Sequence, residues 1–207
     1  MHPALALALA YTSGSLPFAW LAGRAQGVDL RKQGSGNLGA TNVFRVLGWQ
    51  IGLAVFVADA LKGALPVLFL PPHIDSVRDP VVWAILIGVA AIAGHVRPLF
   101  LRFRKGGKGV ATAAGVFFAL APVPMTIAFA LFVAVVLASG YVSLGSLLSA
   151  ALLPIILLVT QGLRSPLFIV SAIVAAFVFW THRANIGRLR RGEEHRFGKR
   201  GRVRGAP

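Results

Sequence analysis

Long, nearly unbroken apolar stretches run along this chain, separated by short polar segments rich in glycine and basic side chains. The stretches at 4–23, 46–70, 81–97, 143–160 and 165–181 fall in the range of roughly 17–25 mostly apolar residues that crosses a bilayer as a helix. The stretch 110–140 carries no charged residue, but Ala121-Pro122-Val123-Pro124 interrupts it. It reads either as one long kinked helix or as two helices broken at the prolines. Small residues recur inside the spans, as at Gly48, Gly52 and Ala58, or Gly88, Ala90, Ala91 and Ala93, where they permit close helix contact. The first stretch lacks a basic segment before it and is interrupted by Ser13-Gly14-Ser15, so it reads as a retained span rather than a signal peptide.

Composition agrees. Of 207 residues 57% are hydrophobic and only 13% charged, against about 25% charged in soluble domains. The net charge is +15, from 21 Lys+Arg and 6 Asp+Glu. The cations lie between spans and in the tail, which fits anionic lipid headgroups rather than nucleic acid. There is no cysteine, so disulfides and thiolate chemistry are excluded. Segments 24–45, 97–108 and 183–204 hold 4, 5 and 9 Lys/Arg, while the other loops hold only Arg78 and Arg164. If 110–140 forms two spans, all three basic segments share one side, as the positive-inside rule prefers. The predicted fold is therefore an all-α integral membrane protein, a seven-helix transmembrane bundle with its N-terminus outside and its C-terminus cytoplasmic. Residues 1–197 make one domain and 198–207 a basic disordered tail.

Three polar segments have the composition of anion sites. In the first, residues 34–42, Gly34, Gly36 and Gly39 allow a tight backbone that turns N–H groups toward a ligand, and Ser35, Asn37, Thr41 and Asn42 add neutral donors and acceptors. Thr41 or Asn42 is expected to cap the following helix, which places Arg45 in its first turn. In the second, Lys105-Gly106-Gly107-Lys108-Gly109 leads into Val110-Ala111-Thr112, a glycine loop feeding a helix N-terminus, with phosphate as the natural ligand. It is not a Walker A loop, because Gly109 stands where that motif needs a hydroxyl. In the third, His182, Asn185 and Arg188 or Leu189 share one helical face, and Glu193 or Glu194 can pair with a buried arginine. The plainer alternatives are a capped turn, an anchor loop and a lipid-bound tail. Inside the second span Asp59 and Lys62 stand i, i+3, either paired with each other or orienting the loops. Ser143 either reaches the site or caps a helix.

Together these segments resemble the bacterial membrane-bound glycerol-3-phosphate acyltransferases that use acyl phosphate as donor. The match spans nearly the whole chain. It rests on Gly34 to Asn42 with Arg45, on Gly94-His95, Pro98 and Gly106 to Thr112, and on His182-Arg183, Asn185-Ile186, Arg188-Leu189, Gly192 and Glu194. Arg104-Lys105 holds one residue more than the family's single cation before Gly106. The resemblance implies transfer of an acyl group from a long-chain acyl phosphate to the 1-hydroxyl of sn-glycerol 3-phosphate, giving lysophosphatidic acid and phosphate, with no cofactor or metal. It implies a site facing the cytoplasm from the bacterial inner membrane, and a soluble enzyme that makes acyl phosphate as a partner; the chain is expected to be a monomer. The expected catalytic residues are Ser35, Asn37, Arg45, His95, Lys108 and His182. The expected substrate-binding residues are Gly36, Gly39, Thr41, Asn42, Lys105, Gly106, Gly107, Gly109, Thr112, Ser143, Asn185 and Arg188. A transporter of a phosphorylated metabolite is the alternative, although the chain shows no internal repeat of the kind transporters carry.

Overall fold

The computed structural model describes residues 1–75 and 79–197; Arg78 and the tail 198–207 lie outside the described residues. Every regular element among those described is helical. In order they are α1 (Pro3–Gly14), α2 (Phe18–Ala25), α3 (Ala40–Leu47), α4 (Trp49–Phe69), α5 (Pro80–Val96), α6 (Val110–Leu120), α7 (Pro122–Ser139), α8 (Val142–Gln161), α9 (Pro166–Thr181) and α10 (Arg183–Arg190), with two single 3₁₀ turns at Pro71–His73 and Leu99–Leu101. Among the described residues five segments are long and apolar enough to cross a membrane: Pro3–Ala25, Trp49–His73, Pro80–Leu101, Pro122–Ser139 and Val142–Gln161. The α9–α10 pair, bent by 60°, passes the same test only when the two helices are taken together, and α6 is a shorter apolar helix.

The stretch 110–140 is two helices, one of the two readings its prolines allow. The break falls at Ala121, before Pro122, where proline disfavours helix at the residue it follows. At 1.5 Å per residue α6 spans only about 16 Å.

The first span is built from two helices, and one expectation about the second is corrected. Pro17 has no N–H and pushes Leu16 out of the helical region, so α1 ends at Gly14 and α2 restarts at Phe18. The second span begins at Trp49, not residue 46. Gly48 is no packing glycine: at φ +90° it separates α3 from α4, with no atom near its missing Cβ.

The chain forms two compact units, Met1–Pro122 and Val123 onward. In the first, α1 packs on α5 and α4 on α6, and glycines bring the backbones together from both sides. A Cβ on Gly14 would lie 2.0 Å from Ala91 O and one on Gly94 2.2 Å from Tyr11 O; one on Gly63 would lie 2.4 Å from Thr112 O and one on Gly115 1.9 Å from Ala60 O. Lipid is as apolar as leucine, so close packing of small residues, not burial from water, holds such helices together. In the second unit α8 packs on α9, and α10 contacts both. Gly145 lets α8 approach the backbone of α7 at Phe132.

Gly115→Val is expected to destabilise the first unit by about 1–3 kcal/mol, the usual cost of overpacking. A lowered thermal midpoint in detergent is the readout, and an unchanged one contradicts the α4–α6 contact.

Candidate active site

The loop before α3 is shaped by Asn42, which is 1% exposed. Its Nδ2 donates to Leu30 O at 3.0 Å and Gln33 O at 3.1 Å, and its Oδ1 accepts from the Ser35 N–H at 2.8 Å. Gly34, at φ +60°, makes room, since a Cβ there would lie 2.3 Å from Asn42 Oδ1. The expected cap is therefore absent: Gly39 is the N-cap of α3, with no side-chain hydrogen bond. Asn42 spends these contacts on the loop itself, which leaves Ser35 and Gly36 exposed at its tip and Asn37 half-buried. At the rim Arg31 donates to both oxygens of Asp29, at 3.0 and 3.2 Å. Those hydrogen bonds hold the Asp29 carboxyl below its ordinary range.

Arg45 lies in the last turn of α3, not in the first turn of a span. The reason is the break at Gly48, which makes α3 a separate eight-residue helix. The guanidinium thus sits at the end of the helix dipole that favours it, and it is exposed.

The glycine loop lies on His95. The Gly106 N–H donates to Val96 O at 3.0 Å. A Cβ on Gly106 would lie 2.2 Å from His95 O, and one on Gly107 would lie 2.1 Å from His95 Nε2 and 2.9 Å from Leu38 O. The two polar loops of this unit therefore meet at Gly107. Gly109, at φ +84°, is the N-cap of α6 and provides no side-chain cap. The first N–H groups of α6 are left for a ligand or water. Lys105 is exposed and Lys108 half-buried. Thr112, in the first turn of α6, is fully buried, and its Oγ1 has no hydrogen-bond partner among the described residues. A cleft lined by Leu16, Phe18, Leu38, Lys62, His95 and Gly107 runs beneath the loop.

In the second unit, His182, Asn185 and Arg188 share a face of α10 and the turn before it, as the spacing predicts. His182 is buried, and its Nδ1 donates to Val178 O at 2.8 Å. The centre of this cluster is Glu194, absent from the predicted site residues. Its Oε1 accepts from Ser143 Oγ at 3.0 Å and Asn185 Nδ2 at 2.7 Å; its Oε2 accepts from Arg188 Nε at 2.7 Å. Ser143 is thus a ligand of Glu194, not a helix cap. Glu193, beside it, pairs with Arg191 on the exposed surface. Spacing allowed either glutamate; only the turn after α10 turns Glu194 inward. Burial by itself raises the Glu194 carboxyl, but the hydrogen bonds from Asn185, Arg188 and Ser143 and the Arg188 charge outweigh it and hold the group below the ordinary carboxylate range.

The arrangement defines a class: a helical integral membrane protein with basic, glycine-rich loops between its helices. The comparisons narrow it. The family model described as glycerol-3-phosphate acyltransferase matches residues 4–192. The glycerol-3-phosphate acyltransferase of Geobacter metallireducens is 51% identical over 193 residues, covering 93% of this chain and 96% of that protein. That of Geobacter sulfurreducens is 46% identical over 191 residues, covering 92% and 95%. A crystal structure of PlsY (YgiH), an integral membrane glycerol 3-phosphate acyltransferase in its glycerol 3-phosphate form, superposes with a TM-score of 0.86. It is 37% identical and covers 95% of this chain and 96% of that one. Its lysophosphatidic acid form gives 0.83 at 36% identity, covering 96% and 97%. The chain belongs to the bacterial membrane-bound glycerol-3-phosphate acyltransferase family.

Two outcomes follow. Asn42→Ala strands three backbone groups and is expected to cost about 1–3 kcal/mol, read as a lower thermal midpoint. Glu194 stabilises the fold above the ordinary carboxylate range, and that contribution is lost as pH falls through its depressed value. Midpoints measured from neutral to acid pH should therefore fall less steeply for Glu194→Gln than for the parent.

Proposed function

We propose that this acyltransferase moves a long-chain acyl group from acyl phosphate to the 1-hydroxyl of sn-glycerol 3-phosphate. Family membership supports the reaction. The observation that carries the site is the glycine loop, with Lys105 and Lys108, opening onto the uncapped N-terminus of α6. The hydroxyl oxygen attacks the acyl carbon, the bond from that carbon to the phosphate oxygen breaks, and inorganic phosphate leaves. The donor is a mixed anhydride and brings its own activation. The protein's task is to hold two mutually repelling anions with the hydroxyl within ~3–3.5 Å of the acyl carbon.

One phosphate rests on Gly106, Gly107 and Gly109 with Lys105 and Lys108, and Thr112 Oγ1 is the buried hydroxyl nearest that helix start. Within the first unit Arg45 serves phosphate as well, and within the second unit Arg188, held by Glu194, does so. Ser35, Asn37 and Thr41, with the backbone of Gly36 and Gly39, orient the nucleophile and meet charge that develops on the carbonyl oxygen. Asn42 contributes by shaping that loop, and Ser143 and Asn185 contribute through Glu194. The hydroxyl proton passes to His95, His182 or a substrate phosphate. The chain is a monomer that crosses the bacterial inner membrane seven times, α6 and α9 included, with the N-terminus outside and the basic loops in the cytoplasm. The placement of the cations supports that orientation. The soluble enzyme that makes acyl phosphate meets this basic side.

Purified protein in sealed bilayer vesicles, given palmitoyl phosphate and radiolabelled glycerol 3-phosphate, is expected to form labelled lysophosphatidic acid. Ser35→Ala and Lys108→Ala should each lower turnover by about 10²-fold without loss of fold. Label accumulating inside the vesicles, with no lipid product, would establish a transporter instead. Near-parental turnover of His95→Ala would exclude that residue as the base.

A further inference from the structure

The buried charges of α4 take no part in the transfer as set out above, yet their surroundings tie them to it. Asp59 is 1% exposed, Lys62 4% and His95 5%. Lys62 Nζ stands 2.7 Å from Asp59 Oδ1 and donates to Leu16 O at 2.7 Å, the carbonyl beside the break before Pro17. The Lys62 backbone carbonyl accepts from Ser13 Oγ at 3.0 Å. The same Asp59 Oδ1 lies 3.6 Å from His95 Nδ1. Neither atom makes an aligned hydrogen bond among the described residues. The opposite ring nitrogen, Nε2, occupies the space that a side chain on Gly107 would need. Asp59 and Gly107 therefore flank one imidazole, and the glycine loop rests on its far edge.

We infer that Asp59 and Lys62 are positioning residues for acyl transfer that act through His95 on the glycine loop. The inference rests on the acyltransferase reading of that loop. A carboxylate beside Nδ1 favours the tautomer with its proton there, and so leaves a lone pair on Nε2 toward the loop. Lys62 pairs with the carboxylate and ties it to the backbone between α1 and α2, so the ring angle is referred to three separate elements. An uncharged pair of similar size fills the same volume but selects neither tautomer nor angle. Loop placement matters because a displacement of about 1 Å at a reacting centre can cost 10²-fold in rate.

The test uses the full chain in nanodiscs, with acyl transfer by the parent as control. Asp59→Asn/Lys62→Met removes both charges together, an exchange that is often neutral for stability. The expected result is a folded protein with a cooperative thermal transition, a kcat/KM lowered about tenfold or more, and a change in the ¹⁵N imidazole signals of His95 away from the Nδ1–H tautomer. In a His95→Ala background the same pair of substitutions should add little further loss, since coupled residues are not additive. Parental kcat/KM in the folded double variant, unchanged His95 signals or a fully multiplied loss each overturn the inference. If the double variant does not fold, the parent spectrum decides: an Nδ1–H tautomer supports the inference and an Nε2–H tautomer overturns it. A parent that forms no lysophosphatidic acid removes the acyltransferase reading and the inference with it.

Discussion

A charge placed in a membrane-spanning helix must find its partners inside the protein, and much of the first unit is arranged around that demand. An isolated lysine or aspartate in a span is costly, yet α4 carries both, buried on one face. Three features bring them partners. The i, i+3 spacing lets the pair meet, the break at Pro17 offers the Leu16 carbonyl to the ammonium, and α5 brings His95 beside the carboxylate. Each feature belongs to a different part of the chain: α4, the break between α1 and α2, and α5. The charged pair thus specifies how those helices are assembled, in addition to any stability it supplies.

The second constraint is backbone approach. Glycines on both members of the α1–α5 and α4–α6 pairs remove the side chain that would hold the axes apart. Rigid, close-packed helices then carry the polar loops at their ends, so the loops start from well-defined positions. Within the loops glycine does something different. Gly34 and Gly109 take left-handed backbone conformations that an ordinary residue adopts only at a cost. The first admits the Asn42 amide and the second turns the chain into α6. Gly106 and Gly107 let the loop settle on His95.

The second unit meets the same demand with the opposite sign. Glu194 is buried, and three donors from α8 and α10 converge on it. A carboxylate so fully bonded is held ionised by its neighbours, and it in turn fixes Arg188 and Asn185. Pairing with a buried acid sets the direction of the Arg188 guanidinium, whereas the exposed Glu193–Arg191 pair holds its partners only weakly.

The sequence by itself determined the helical class, the apolar segments, the division of 110–140 at its prolines, and the three polar motifs. Those properties depend on local composition, because a bilayer requires long apolar runs and an anion site requires glycine, small donors and cations close together. Tertiary structure alone decided the rest. Whether Arg45 begins a span or ends a short helix turns on the backbone at Gly48. Whether Asn42 and Ser143 cap helices turns on what lies across from them: the loop's own carbonyls in one case, Glu194 in the other. The choice between Glu193 and Glu194 depends on the turn after α10. The meeting of Asp59 with His95, 36 positions apart, depends on the packing of α4 and α5. Local patterns specify what a segment can become; partners distant in the chain decide which of its polar groups remain available for chemistry.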